Sequence, residues 1–184
     1  DEEHKFGVTH KEKIKQLKKG IDSLSISATP IPRTLQLSLS GLREISLLAT
    51  PPKERLSIET YIEEFDLSLI KDVVEFELKR DGRVFFVHNE ILSIEKICNQ
   101  IKEICPEYKA DYIHGKLPGN EVEKKLKDFI DGEIKILITT TIVEAGLDIQ
   151  EANTMIINND HKFGLSDLYQ LRGRIRKKKK KGKA

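Results

Sequence analysis

Three separated stretches carry residue types suited to phosphate chemistry. The first is DEEH at 1–4, where Asp1 and Glu2 are adjacent carboxylates and His4 follows closely. Nucleotide hydrolysis uses a carboxylate to hold Mg²⁺ and a second group to orient the attacking water. The same two acids could equally be a solvated chain end. The second stretch is SATPIPRT at 27–34. Here Arg33 and Thr34 stand where a helix start could meet a backbone phosphate, and Thr29 could cap a turn. The third is TTTIVEAGLDI at 139–149, followed by QLRGR at 170–174. Thr139, Thr140 and Thr141 offer hydroxyls and amides to a phosphate, but a β-branched run is also good strand material.

Such groups need a scaffold, and from residue 56 onward the pattern supplies one by alternating short β-rich runs with helical periods. SIETYIEEF at 57–65 predicts a strand. Leu67, Ile70, Val74 and Leu78 then fall on one helical face. DGRVFFVHN reads as a turn into a buried strand. Ser93 is placed to cap a helix whose stripe is Ile94, Ile97, Cys98, Ile101, Ile104 and Cys105, stopped by Pro106. KADYIHG is the next strand. Asn120 with Glu123 resembles a capping box for a helix burying Val122, Leu126, Phe129 and Ile130. IKILITTT and TMIINN are two further strands, and a short helix covers Leu165 to Leu171.

This order predicts an α/β fold, a mainly parallel sheet with helices on both faces, whose ligands gather at the carboxyl ends of the strands. Residues 1–49 hold too few elements to enclose a core alone. TPPKER at 50–55, with its paired prolines, reads as a linker to the unit at 56–184.

Composition excludes several classes. Of the 184 residues, 38% are hydrophobic and 34% charged, which fits a soluble globular chain. No apolar run approaches the roughly 20 residues of a membrane span, and the acidic start is unlike a signal peptide, so a cytoplasmic location and no membrane partner are expected. Cys98 and Cys105 are expected as reduced core residues, and the five histidines match no zinc spacing. Net charge is +2, yet the last thirteen residues carry nine Lys and Arg and no acid. That tail could grip phosphate, or simply stay solvated.

Taken together, DEEH, SATPIPRT, TTTIVEAGLDI and QLRGR resemble, in order and spacing, the second to sixth motifs of superfamily-two helicases and translocases, built from two RecA-like lobes. LSGLREISLLATPPKERL and ANTMIINNDHKFGLSDLYQLRGR resemble most the bacterial transcription-repair coupling factors, with the RecG fork helicases as near relatives. The resemblance implies one nearly complete second lobe (56–184) after the remnant of a first (1–49), and ATP and Mg²⁺ as cofactors of an intact parent.

By that resemblance Asp1 holds the metal, Glu2 is the base, and His4, Gly146, Asp148, Gln170 and Arg174 belong to the nucleotide site. Gly146 would let the backbone approach the nucleotide, and Asp148 would reach its ribose or the nearby arginines. Thr29, Arg33, Thr34, His114, Gly115, Thr139, Thr140 and Thr141 would face double-stranded DNA. RNA polymerase and the excision-repair protein UvrA are implied as partners through modules absent here. The final motif departs from the family pattern, with Arg176 in place of glycine and Lys177 in place of the second catalytic arginine. Lysine lacks the planar fork of arginine, so Lys177 is expected to be a poor substitute beside Arg174.

No GxxxxGK[ST] phosphate loop occurs in the sequence. The expectation is a piece of a larger ATPase, cut at both ends and inactive alone. A RecG-like fork helicase fragment, or a non-catalytic nucleic-acid-binding α/β module acting through its lysine tail, are the alternatives.

Overall fold

The structure is a computed structural model that describes residues 58–140 and 152–175, together with Thr9, Lys13, Gln16, Leu17, Ser46 and Thr50. Contacts divide the chain into two units, Asp1–Pro51 and Pro52–Ala184. The second unit holds the described fold.

Its elements run α1 (Leu67–Lys79), β1 (Arg83–His88), α2 (Ile91–Ile104), β2 (Ala110–Ile113), α3 (Gly119–Asp131), β3 (Ile136–Thr139), β4 (Ala152–Asn158), a 3₁₀ turn (Asp160–Lys162) and α4 (Leu165–Arg174). The four strands form one sheet in the order β2-β3-β1-β4, and every pairing is parallel. Parallel neighbours require crossovers, which the intervening helices supply.

The sheet is apolar on both faces because alternate residues of each strand serve opposite layers. Val84, Phe86, Ile136 and Ile138 pack with Ile70, Val74, Ile94, Cys98 and Ile101, so α1 and α2 cover one face. Phe85, Val87, Leu137 and Met155 pack with Leu126, Phe129, Leu171 and Ile175, so α3 and α4 cover the other. Phe85 meets Phe129 edge to face, with ring centroids 5.8 Å apart. Burying each such ring contributes about 2–3 kcal/mol. β1 lies inside the sheet, and its RVFFVH sequence is buried from Val84 to His88.

Four local expectations are corrected. Residues 57–65 do not form a strand where described, since Glu59 makes a single bridge and Tyr61 and Ile62 are exposed. Alternating residues need a neighbouring strand to pair with, and none pairs with 60–65 among the described residues. α2 starts at Ile91 with Glu90 as N-cap, so Ser93 sits inside the first turn. α3 starts at Gly119 with Pro118 as N-cap and no side-chain cap bond. The extended geometry of Pro118, φ −55 and ψ 139, starts the helix at once, which leaves Asn120 too late to act as a cap. Ile130 is also 46% exposed rather than buried.

Candidate nucleic-acid and nucleotide face

In a parallel sheet all carboxyl ends lie on one edge, and loops there converge on ligands. Crossing that edge in sheet order, one meets His114 and Gly115 after β2, Thr139 and Thr140 at the end of β3, His88 at the end of β1, and Asn158 at the end of β4. The register pairs Ile113 with Thr139 and Val87 with Thr139, so His114 and Thr140 follow on neighbouring strands. The sheet therefore brings together four of the predicted DNA-facing residues: His114, Gly115, Thr139 and Thr140.

Their side chains are arranged unequally. Thr139 is fully buried, and its hydroxyl donates to the Thr140 carbonyl at 2.8 Å. What Thr139 can offer a phosphate is backbone, not hydroxyl. His114 stacks on Tyr112 with centroids 5.9 Å apart, and its Nδ1 accepts the Lys116 N–H at 3.3 Å. On Tyr112 also lies Lys125, whose Nζ is 4.8 Å from the ring centre. Lys125 bonds Asp111 at 3.0 Å and Glu121 at 3.2 Å. Burial works against its charge, but the hydrogen bonds and fields of Asp111 and Glu121 prevail and hold its pKa above the usual lysine value. The Tyr112–His114 stack thus presents a firm, half-buried platform beside the threonines.

At the other end of the edge, α4 carries Gln170, Arg172 and, as its last residue, Arg174. Gln170 and Arg174 lie four residues apart along the helix. Arg172 lies with its guanidinium 4.8 Å over the Tyr169 ring. The N–H of Gly164, which precedes the helix, donates to the Asp167 carboxylate at 3.0 Å.

Sequence reasoning missed a polar cluster between these two groups. Asn158 Nδ2 lies 3.0 Å from His88 Nδ1, His88 Nε2 lies 2.8 Å from Ser93 Oγ, and Ser93 donates to Glu90 at 2.6 Å. Lys162 Nζ lies 3.8 Å from the second Glu90 oxygen. His88 is 2% exposed. Burial, partly opposed by Glu90 and aided by Lys162, holds its pKa below the ordinary histidine value. The available signal was a polar residue closing each of two apolar strands, VFFVH and MIIN. Beside β4 lies a groove of about 880 Å³, bounded by 60–66 and α4 and lined by Tyr61, Phe65, Leu165 and Tyr169.

The predicted site residues Asp1, Glu2, His4, Thr29, Arg33, Thr34, Thr141, Gly146, Asp148 and Lys177 lie outside the described residues. Among the described residues no group of three His, Cys, Asp or Glu is placed to hold a metal ion, and no helix is long and apolar enough to cross a membrane.

Comparison with known proteins agrees with this geometry. The chain is 47% identical over 175 residues to the transcription-repair-coupling factor of Bacillus subtilis (strain 168), and 46% identical to that of Staphylococcus aureus (strain USA300). Each alignment covers 95% of this chain but 15% of the relative, so the chain spans about a seventh of their length. Among solved structures, RecG bound to a three-way DNA junction matches with a TM-score of 0.65 and 32% identity, over 84% of this chain and 21% of that one. The sheet with its covering helices is thus a RecA-like helicase C-terminal lobe. Residues 66–179 match the family described as helicase conserved C-terminal domain, and the chain belongs to that family.

Proposed function

We propose that this chain is part of an ATP-driven double-stranded DNA translocase of the coupling-factor kind, with residues 56–184 forming its second RecA-like lobe and 1–49 belonging to the first. The carrying observation is the single strand-end edge that sets His114 and Thr139–Thr140 at one side and α4, with Gln170 and Arg174, at the other. Nucleic-acid backbone and nucleotide would then be read from the same rigid sheet, as a motor needs. The higher identity to the coupling factors, against 32% to RecG, favours the former.

In this reading DNA phosphates meet the backbone at Thr139–Thr141, the His114–Gly115 loop, and Thr29, Arg33 and Thr34. ATP is held by His4, Gly146, Asp148, Gln170 and Arg174, with Lys177 a weak phosphate contact. Mg²⁺, held by Asp1, would neutralise the phosphates while Glu2 orients the water. In the intact assembly RNA polymerase and UvrA would engage other modules. This chain alone would not turn over ATP, because its sequence offers no phosphate loop to cradle the triphosphate.

Fluorescence anisotropy with a labelled duplex tests the DNA-facing assignment. Arg33→Ala and Thr140→Glu should each weaken binding several-fold, whereas deletion after Arg174 should leave measurable affinity with a shallower salt slope. If deletion abolishes binding while both substitutions leave it intact, the chain is a lysine-tailed binding module instead.

A further inference from the structure

We propose that Asp111 and Lys125 form a guard on the outer edge of β2, and that beneath it lies a strand-pairing surface that fits a second copy of this chain.

β2 is an end strand of the described sheet, with β3 on one side only. An end strand turns alternate backbone groups away from its neighbour, and such a row is a template for another strand. The ladder shows which residues these are. The Ile136 N–H donates to the Lys109 carbonyl at 3.3 Å, and the register runs on from Ala110↔Ile136 to Ile113↔Thr139, so Lys109, Asp111 and Ile113 turn their backbone groups to β3. Ala110, Tyr112 and His114 therefore turn theirs outward. Ala110 is 4% exposed, which puts it out of reach of another chain. The His114 carbonyl accepts the Leu117 N–H at 3.0 Å. Within β2 that leaves Tyr112 as the residue through which the sheet could be extended. A copy related by a two-fold axis would set its own Tyr112 opposite this one, with two N–H to carbonyl bonds between them.

The guard gives Tyr112 what a neighbouring strand would give it, one acceptor and one donor. Asp111 Oδ1 accepts the Tyr112 N–H at 2.7 Å, and Lys125 Nζ, reaching over from α3, donates to the Tyr112 carbonyl at 3.1 Å. An ammonium has three protons, and three oxygens surround this one: the Tyr112 carbonyl, Asp111 at 3.0 Å and Glu121 at 3.2 Å. Asp111 Oδ1 serves both the Tyr112 N–H and Lys125, so the acceptor and the donor brace each other. The side chains are 17% exposed at Lys125 and 27% at Asp111, so an incoming strand would have to displace a largely desolvated ion pair before it could bond. A simple tie between α3 and β2 would account for the ion pairs, but not for the two bonds to the Tyr112 backbone.

The guard does not depend on the translocase reading, and its test reads self-association. In the full 184-residue chain, Asp111→Ala with Lys125→Met removes the acceptor and the donor while keeping an apolar stem in place of the lysine's. Sedimentation over a concentration series should show the double variant associating roughly tenfold more tightly than the parent. Its Tyr112 amide, followed by NMR, should exchange quickly in dilute solution and slow as the protein is concentrated. In the parent the same amide should be protected even when dilute. Glu121→Gln removes an ion partner but neither Tyr112 bond, and should sediment like the parent. Where circular dichroism shows the double variant unfolded, Asp111→Ala and Lys125→Met are read singly, each expected to raise association about threefold because each bares one bond. A folded variant that associates no more than the parent, association without concentration-dependent protection at Tyr112, or an unprotected Tyr112 amide in the dilute parent would overturn the proposal.

Discussion

Thr154 of β4 donates its hydroxyl to the Glu77 carboxylate across 2.7 Å, joining residues 77 positions apart where α1 ends and β4 begins. Glu77 is completely buried, takes Arg80 at 3.2 Å, and receives Asn153 Nδ2 at 3.3 Å. A buried carboxylate is tolerated only when its oxygens are matched in this way. Removing it strands the groups that serve it. Glu77→Ala should therefore cost about 3 kcal/mol, and Thr154→Val about 1–2 kcal/mol, in urea unfolding of the chain. Because the two side chains share one bond, the double variant should cost clearly less than the sum of the singles.

The same carboxylate makes Gly82 costly to replace. A Cβ there would run into Glu77, whose carboxylate cannot swing aside without surrendering Thr154 and Arg80. Gly82→Ala should destabilise by about 1–3 kcal/mol despite alanine's lower conformational entropy cost. In the Thr154→Val background, where the carboxylate is already looser, the penalty should shrink. Paired thermal melts check both expectations.

For DNA binding, the inward hydroxyl of Thr139 separates two roles that sequence alone merges. Thr139→Val removes a bond to the Thr140 carbonyl yet leaves the backbone in place. Duplex affinity should stay within about twofold while stability falls by about 1 kcal/mol. A larger loss of affinity, measured by anisotropy at matched salt, would mean that the hydroxyl turns outward to meet phosphate.

The two thiols should be inert. Burial pushes the Cys98 and Cys105 thiols above the usual cysteine range, so the nucleophilic thiolate is scarce at neutral pH and grows only at more alkaline pH than for a free thiol. Both are free and buried. Alkylation by iodoacetamide at pH 8 should be slower than in the urea-unfolded chain by orders of magnitude, and both sites should react at the rate of opening.

Much of this architecture was legible beforehand because burial on both faces writes itself into long apolar runs. VFFV of β1, the stripe of Ile94, Cys98 and Ile101, and the pair Leu126 and Phe129 all declared their elements. Helix starts were less legible, since a cap depends on where preceding backbone turns. Ser93 has the right chemistry for a cap, but His88 and Glu90 claim its hydroxyl. SIETYIEEF carries the β-branched and aromatic residues of a strand, yet pairing is a property of neighbours that no local pattern records. The strand-end edge followed from topology once the sheet was known to be parallel. His88, Glu77 and their partners did not, because a buried polar residue is recognised by what it touches across 70 or more positions.

The strand order β2-β3-β1-β4 also sets a timetable for biosynthesis. β1 is made first among the four strands but pairs with β3 and β4, made third and fourth, so its VFFV segment leaves the ribosome without either neighbour. Val84 pairs with Ile136, 52 positions later, and with Thr154, 70 positions later. Until Asn158 has emerged, one side of a highly apolar strand lacks its final partner, and the early helices α1 and α2 shield only one of its faces.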